Sequence, residues 1–175
     1  MQKRLAFGIC ILIAVAIVVL HGQSSLGRWR ETFLVNNGVF QIRARMFPDQ
    51  GFGVVLGATY VYDAAPLDSE DWHVAGSWHR DDPDPIAPSR IRFVKDDTAY
   101  VFDEYHYATS TDRGKNWQQW AIATDFPRWK DHRATIADVT LKSDGAGEMK
   151  LRQIDPTSPK RLITTDYGRH WQQPQ

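Results

Sequence analysis

One eight-residue pattern occurs twice in the chain and restricts its fold more than any other feature. It reads Ser/Thr-x-Asp-x-Gly-x-x-Trp, and it occupies residues 110–117 and residues 164–171. The two aspartates lie at positions 112 and 166, a spacing of 54 residues. Repetition at a fixed period is typical of folds that stack one supersecondary unit on the next. We therefore expect a chain built from repeated units of about this length.

The restricted positions of this octet predict a tight turn between two strands. The aspartate can accept hydrogen bonds from main-chain N–H groups one to three residues later, and the hydroxyl two positions earlier can bind the same backbone. The glycine suits a positive φ, and the tryptophan can open the next strand and fold back across the hairpin. The predicted structural residues are Ser110, Asp112, Gly114, Trp117, Thr164, Asp166, Gly168 and Trp171.

Short segments of alternating apolar and polar residues surround each octet and predict strands. They cover residues 91–95, 99–102, 106–109 and 117–123 around the first octet, and residues 139–142, 149–154 and 161–163 before the second, with Trp171 after it. Four antiparallel strands in a meander are the plan of a β-propeller blade. The content of seven Trp, eight Phe and six Tyr also suits pleated strands.

A third, degenerate unit is predicted upstream, with strands over residues 31–35, 40–44, 54–62 and 72–78. Its turn, residues 68–72, keeps an acid and a Trp but lacks the glycine. The predicted fold class is therefore all-β, with antiparallel four-stranded blade-like sheets, two clear and one degenerate, in an incomplete propeller-like arrangement that follows an N-terminal hydrophobic helix.

The N-terminus predicts export. Lys3 and Arg4 precede an uninterrupted apolar run over residues 5–20, which as a helix would be about 24 Å long. This is slightly short for a bilayer core of about 30 Å, so a cleaved signal peptide and a retained anchor compete. Cleavage after Ser24 or Gly27 would use moderately good sites. We favour a single-pass inner-membrane anchor, with residues 1–27 as anchor and linker and residues 28–175 as a domain in the periplasm or outside the cell. The alternative is a secreted or periplasmic protein.

Charge and cysteine content exclude several functions. Without Lys3 and Arg4, the 21 basic residues fall to 19 against 21 acidic ones, which gives no basic footprint for nucleic acid. The single cysteine, Cys10, lies in the apolar run, so a disulfide or a Cys-ligated zinc site in the domain is excluded.

The octets resemble the Asp-box, or BNR repeat, of sialidase-type β-propellers. The resemblance is close over the octets, holds in outline for residues 91–175, and is loose for residues 28–85. It implies that the octet residues are structural and lie at the blade periphery. One departure is the position before Trp, usually Ser or Thr in the family, which is Asn116 and His170 here. We expect this departure to weaken one hydrogen bond of the turn.

A sialidase-like glycosidase or glycan-binding domain is the enzyme hypothesis. It is disfavoured because two or three blades cannot close a ring of the usual four to eight. The central arginines and Tyr/Glu pair of that family also have no recognisable motif around Arg43, Arg45 or Tyr60. No catalytic residue and no cofactor are therefore assigned.

No metal site is assigned either. The acidic stretch of residues 81–85 lacks the ordered spacing and the glycine of a calcium loop. The histidines at positions 73, 79, 106 and 132 lack a zinc-like pairing.

The segment that joins the two clear units is the candidate partner-binding site. It combines aromatic and basic residues that are favoured as interface anchors, namely Phe126, Arg128, Trp129, Lys130 and Arg133. The alternative is that Phe126 and Trp129 cap the adjoining sheets. The Pro-rich loop of residues 79–89 is a second candidate, because it is long for a connector.

These features together predict a non-enzymatic, membrane-tethered module that binds another protein. Its layout also resembles the periplasmic immunity proteins that neutralise type VI secretion lipase effectors, which implies a partner toxin. An alternative is a membrane-anchored assembly factor similar to the photosystem stability factors that use BNR repeats. Dimerisation is also plausible, because incomplete propellers expose blade edges that need cover.

Overall fold

The computed structural model describes residues 30–51, 54–81, 84–122, 134–153 and 159–174. These residues form eleven strands in three antiparallel sheets, so the all-β prediction is confirmed. The predicted N-terminal helix lies outside the described residues. Within those residues, no helix is long and apolar enough to span a bilayer.

Strand order follows chain order in every sheet. The first sheet contains β1 (Arg30–Asn36), β2 (Phe40–Gly51), β3 (Val54–Pro66) and β4 (His73–Arg80). A 3-10 turn (Pro88–Arg90) leads to the second sheet, which contains β5 (Ile91–Lys95), β6 (Thr98–Phe102), β7 (His106–Ser110) and β8 (Gln118–Ala121). The third sheet contains β9 (Ala134–Leu141), β10 (Gly147–Gln153) and β11 (Arg161–Thr164), and an antiparallel bridge joins Ile163 to Gln172.

The unit predicted to be degenerate is a complete four-stranded sheet, and its central hairpin is longer than expected. β2 and β3 pair from Phe40 with Pro66 to Gly51 with Val54. The strand predicted to end at Ala44 continues through Pro48 to Gly51. Among the described residues, β1 pairs with β2 only as far as Met46, so Pro48 pairs with β3 alone, and a proline on a sheet edge loses little by lacking an N–H.

The second sheet lies between the other two. All five residues of β6 are buried, and alternate side chains enter different apolar clusters because successive residues of a strand point to opposite faces. Ala99 and Val101 pack in the cluster of the first sheet. Tyr100 and Phe102 pack in the cluster of the third sheet. The molecule is therefore a stack of three sheets.

Two cross-strand rows of apolar residues form the contacts between the sheets. Ile91, Val101 and Ala108 are paired neighbours that belong to the cluster shared with the first sheet. The corresponding row of the third sheet, Val139, Met149 and Leu162, belongs to the cluster shared with the second. The second and third sheets thus each present an apolar row to the sheet that precedes them in the chain.

Candidate functional site

The first octet turn, residues 110–117, is closed by two side chains. Ser110 Oγ accepts hydrogen bonds from the N–H groups of Gly114 at 3.0 Å and Asp112 at 3.4 Å, and it donates to Asp112 Oδ1 at 2.8 Å. Asp112 Oδ1 accepts the N–H of Asn116 at 2.9 Å. The Ser110 hydroxyl thus binds the N–H of Gly114. The Asp112 carboxylate accepts the N–H of a residue four positions later, whereas one to three positions were expected.

The second octet turn, residues 164–171, repeats this network. Thr164 Oγ1 donates to Asp166 Oδ1 at 2.7 Å and accepts from Gly168 N at 3.1 Å. Asp166 Oδ1 accepts the N–H of His170 at 3.1 Å. Two stretches with four matching residues out of eight therefore fold into the same turn.

At the position before Trp, both turns have a side chain that contacts the aspartate. Asn116 Nδ2 donates to Asp112 Oδ2 at 2.6 Å, and His170 Nδ1 lies 2.6 Å from Asp166 Oδ2. An amide and an imidazole nitrogen reach the second carboxylate oxygen because they lie four residues after the aspartate in a tight turn. Both departures from the family pattern therefore retain a hydrogen bond to the carboxylate.

The hydrogen bonds also change the acidity of the two aspartates. Partial burial acts to raise the pKa of Asp112, but the hydrogen bonds from Asn116 and Ser110 outweigh it and hold this pKa below its ordinary value. The pKa of Asp166 is likewise lowered, because the bonds from His170 and Thr164 outweigh partial burial. Both side chains are therefore carboxylates at neutral pH, and in each of them both oxygen atoms contact groups of the turn.

Each octet turn packs on the preceding sheet through its glycine. Gly114 and Gly168 have φ values of 79° and 80°. A Cβ atom at Gly114 would lie 2.5 Å from Ala64 Cβ in β3. A Cβ atom at Gly168 would lie 2.4 Å from the hydroxyl of Tyr107 in β7, which itself donates to the carbonyl of Tyr167 at 2.9 Å. The glycines thus permit both the backbone conformation and the close approach of two sheets.

The two octet tryptophans differ in their surroundings. Trp117 is half-buried against the first cluster, and its Nε1 donates to the carbonyl of Gly114 at 2.9 Å. Trp171 is 4% exposed and contacts Tyr107 edge-on at 5.5 Å between ring centroids. Among the described residues, Trp171 Nε1 has no hydrogen-bond acceptor. The eight predicted octet residues therefore serve packing and turn formation.

The predicted partner-binding residues, Phe126, Arg128, Trp129, Lys130 and Arg133, lie outside the described residues, as does His132. The other candidate histidines each lie near an aspartate, and His106 also stacks on Trp78 with 5.3 Å between ring centroids. Within the five described ranges, no group of three His, Cys, Asp or Glu side chains could hold a metal ion.

The outer face of the first sheet carries a cluster that the sequence pattern did not single out. Leu34, Arg43, Asp63 and Val74 are paired neighbours and form one row across all four strands. The alternate residues of the same strands, such as Ile42 and Tyr62, pack toward the second sheet. The row therefore points away from the stack. We call this row, together with Arg45 and Trp72, the outer row.

Two guanidinium groups of the outer row share one carboxylate. Arg43 Nε and Nη2 donate to Asp63 Oδ2 at 3.4 and 3.2 Å, and Arg45 Nη2 contacts the same oxygen atom. The Asp63 side chain is 2% exposed, whereas those of Arg43 and Arg45 are 18% and 22% exposed. Among the described residues, Arg45 Nε has no acceptor. One buried carboxylate thus holds two guanidinium groups that are each partly exposed.

Aromatic and aliphatic side chains surround this charged centre. The Arg43 guanidinium lies over the indole of Trp72 at 3.8 Å from the ring centroid. At the two ends of the row, Leu34 and Val74 are 47% and 56% exposed, the large apolar side chains left exposed in the described part of the chain. A surface that combines stacked arginine, tryptophan and exposed aliphatic groups has the composition of a protein-binding hot spot.

The opposite end of the stack is different. The outer face of the third sheet presents the paired residues Thr140, Glu148 and Ile163, followed by Lys150 beside Arg161. A shallow groove of about 490 Å³ crosses this face and is lined mainly by such polar residues. A polar outer face is typical of the terminal unit of a stacked repeat, so this end is the weaker candidate for a binding surface.

A signal for the outer row was present in the sequence. Arg43 lies in the strand predicted over residues 40–44 and Arg45 directly after its predicted end, and two residues two positions apart share one face where a strand continues. Asp63 interrupts an otherwise apolar stretch from Val61 to Ala65. These observations could have suggested a charged pair, but not that its face is uncovered.

Comparison of the chain with models of protein families, with curated proteins and with solved structures gives no match.

Proposed function

We propose that this protein is a non-enzymatic, exported and membrane-tethered module that binds another protein through the outer face of its first sheet. The observation that carries the proposal is the outer row. It combines a charged centre, held in place by a buried carboxylate and a stacked indole, with two exposed aliphatic side chains. Arginine and tryptophan are enriched among interface residues that dominate binding.

The octet turns support this proposal through the contacts that they make. Their hydroxyl, carboxylate and glycine groups bind main-chain atoms of the turn or contact the preceding sheet. They thereby join the sheets, and a binding face that is held in place by its scaffold needs little reorganisation. A stack of propeller-like blades that ends in a binding face is the architecture we propose.

The chain order supports a position close to the membrane. Nine residues separate the apolar run, which ends at Leu20, from β1, which begins at Arg30. Such a linker spans at most about 30 Å, so a retained anchor would hold the first sheet near the bilayer. A protein that arrives at the membrane, such as a secreted lipase effector, and a subunit of a membrane complex both fit this position. We favour inhibition of a secreted effector, as in immunity proteins, and retain assembly of a membrane complex as the second candidate.

Site-specific photo-crosslinking tests the proposal. The full chain is produced in its source cells with p-benzoylphenylalanine in place of Val74, in the outer row, or of Thr140, on the outer face of the third sheet. Thr140 is the matched control because it is also an exposed residue of a sheet. Irradiation should give a discrete protein adduct from position 74 and none from position 140.

The identity of the adduct separates the two candidate functions. A secreted enzyme as the attached protein supports the inhibitor, and a subunit of a membrane complex supports the assembly factor. A second probe in place of Leu34, at the other end of the outer row, guards against a poorly placed label. The absence of a protein adduct from both position 74 and position 34, in cells that contain the folded protein, would contradict a binding role for this face.

A further inference from the structure

The β2–β3 hairpin extends past the sheet to which it belongs. Among the described residues, β1 pairs with β2 only as far as Met46, and β4 pairs with β3 only as far as Ala58. β2 and β3 continue to pair with each other until Gly51 lies opposite Val54. Neither edge of this two-stranded extension pairs with another described strand. We call the extension, residues 49–51 and 54–57, the ribbon.

The ribbon leaves the body of the domain at its base. Gly57 still lies against the end of β4, where a Cβ atom would be 2.8 Å from the carbonyl oxygen of Arg80. Its cross-strand partner Asp49 already has a side chain that is 51% exposed. From Gly57 to Val54 the strand advances three residues, which is about 10 Å. The ribbon therefore projects by about two turns of a helix in length beyond the last pair of β4.

The far end of the ribbon is uncharged and largely apolar. No charged residue occurs between Asp49 and Asp63 in the sequence. Val54, Val55 and Leu56 follow one another in β3. A hairpin of two strands offers such residues no second layer of its own to pack on. Apolar residues on a projection of this kind indicate a contact with another protein or with a membrane.

The direction of the ribbon favours the membrane. Arg30, the first residue of β1, pairs with Met46, so the chain enters the sheet at the end from which the ribbon projects. Gly51 lies five residues beyond Met46 along β2, which is about 17 Å. The nine-residue linker between Leu20 and Arg30 spans at most about 30 Å. The end of the apolar run and the tip of the ribbon can therefore lie at the same level of a bilayer.

The charges near the ribbon limit how far it can enter. Asp49 lies at its base, and aspartates occupy positions 81, 82 and 84 directly after β4. The carbonyl of Asp84 accepts a hydrogen bond from the hydroxyl of Tyr60 at 2.7 Å, which brings this acidic loop back beside β3 and away from the tip. Carboxylates are costly to remove from water. A membrane contact is therefore restricted to the part of the ribbon beyond Asp49.

We propose that the end of the ribbon, residues 50–51 and 54–56, contacts the lipid surface of the membrane that holds the N-terminal anchor. Its apolar residues enter the boundary between headgroups and acyl chains, while Asp49 and the aspartates after β4 stay in water. Membrane attachment is firmer with two contacts than with one, and the apolar run of residues 5–20 is slightly short for a bilayer.

This contact would orient the binding face. The strands of the first sheet would point toward the bilayer, so the outer row would face sideways and be open to a partner that lies along the membrane. The inference rests on the proposed function, because it needs the membrane tether, and it adds the orientation of the domain.

Quenching of a fluorescent label by lipid tests the contact. The full chain is reconstituted in vesicles of phosphatidylethanolamine and phosphatidylglycerol, a fraction of which carries a nitroxide near the top of the acyl chain. An NBD label is attached to the native Cys10, which is the single cysteine. In a Cys10→Ala background, it is attached instead to Val54→Cys, Val55→Cys or Asp68→Cys. Position 68 is the matched control, because it is exposed and follows β3 at the opposite end of the sheet.

We expect the labels at positions 54 and 55 to be quenched at least about threefold more strongly than the label at position 68, because groups about 5 to 10 Å below the surface lie near the nitroxide. Two consecutive positions are used so that the result does not depend on one label site. The substitutions lie beyond the paired sheet or in a turn, so the melting temperatures should match that of the Cys10→Ala parent.

The label at Cys10 separates failure of this inference from failure of the proposed function. Quenching at Cys10 with none at positions 54 and 55 would overturn the ribbon contact and leave the tether in place. Blue-shifted emission at positions 54 and 55 that the nitroxide does not quench would also overturn it and would assign the ribbon to a contact with protein. No quenching at Cys10 would overturn the tether itself. The photo-crosslink from position 74 tests protein binding independently of these results.

Discussion

The row that faces away from the stack differs from the two rows that lie inside it. Ile91, Val101 and Ala108 in the second sheet, and Val139, Met149 and Leu162 in the third, are apolar and covered by the preceding sheet. On the first sheet, the face that no other described sheet covers carries Leu34, Arg43, Asp63 and Val74. In all three sheets, neighbouring strands are consecutive in the chain. The difference teaches that the residues of the row, and not the sheet plan, decide whether another sheet can stack there.

A charge placed in an inner row should have the largest effect. Met149→Arg would put an unpaired guanidinium at a fully buried site, and we expect a loss of about 4 kcal/mol or more, enough to unfold a small domain. Thr140→Arg, at an exposed position of the same sheet, should change the stability by less than about 0.5 kcal/mol. Urea unfolding followed by tryptophan fluorescence measures both. Similar stabilities for the two variants would contradict the assignment of Met149 to the contact between sheets.

Removal of the shared carboxylate should have the next largest effect. Asp63→Asn leaves two guanidinium groups close together without a counter-charge, and we expect a loss of about 3 kcal/mol. The control is Asp138→Asn, because Asp138 pairs with Arg92 at 2.8 Å but both side chains are 37% exposed. Exposed pairs contribute under about 1 kcal/mol. Equal losses in the two variants would show that the outer row is an ordinary surface ion pair.

Alanine in place of an octet glycine tests how the turns join the sheets. Gly38, Gly114 and Gly168 all have φ near 80°, but a Cβ atom at Gly38 would meet no atom within 4 Å. Gly38→Ala therefore measures the conformational cost alone, about 1 to 2 kcal/mol.

Gly114→Ala and Gly168→Ala should each cost about 1 kcal/mol more than Gly38→Ala, because they also push against the preceding sheet. Ala64→Gly should recover part of the loss in Gly114→Ala and none in Gly168→Ala, as measured by a double-mutant cycle. Equal losses of stability at all three glycines would show that the octet turns do not contribute to the contacts between sheets.

Much of this architecture was predictable, and the limits have physical reasons. The alternation of apolar residues placed the strands, and the Asp, Gly and Trp positions placed two turns, because these are properties of adjacent residues. The left-handed backbone at Arg113 and Tyr167, with φ of 64° and 62°, was not predictable from residue type. It is stabilised by hydrogen bonds from their N–H groups to the carbonyls of Asp97 and Gly145, which are distant in sequence.

The candidate site was harder to predict than the fold. Periodicity places Arg43 and Arg45 on one face of a strand, but their shared contact with Asp63 depends on the register of β2 with β3. The burial of that carboxylate also depends on which faces of the stack are covered. Neither the register of two strands nor the coverage of a sheet face can be predicted from the sequence of a single strand. The segment of residues 126–133, which composition favoured, remains a prediction.

Loss of the turn carboxylate should have the smallest effect. Asp112→Asn removes charged acceptors from Asn116, and we expect a loss of about 1 kcal/mol at pH 7. The pKa of Asp112 is lower in the folded protein than its ordinary value of 3.8. Its stabilising contribution is therefore present above pH 3.8 and is lost as the pH falls through the lower, folded-state pKa. Urea unfolding between pH 2 and 7 should show the difference from wild type shrinking over that acidic range. A difference that does not change with pH would contradict the role of the ionised carboxylate.

Conversion of the outer row into an inner row is the most direct test of the central claim. The triple variant Arg43→Leu, Arg45→Leu, Asp63→Ala replaces the charged centre by apolar residues. Because replacing a buried ion pair by apolar residues is often neutral or stabilising by about 1 to 4 kcal/mol, the domain should remain folded. Sedimentation equilibrium should then show association through the new apolar face, whereas the wild-type face should not associate. A folded triple variant with the same molecular mass in solution as the wild type would show that the charged row is not what ends the stack.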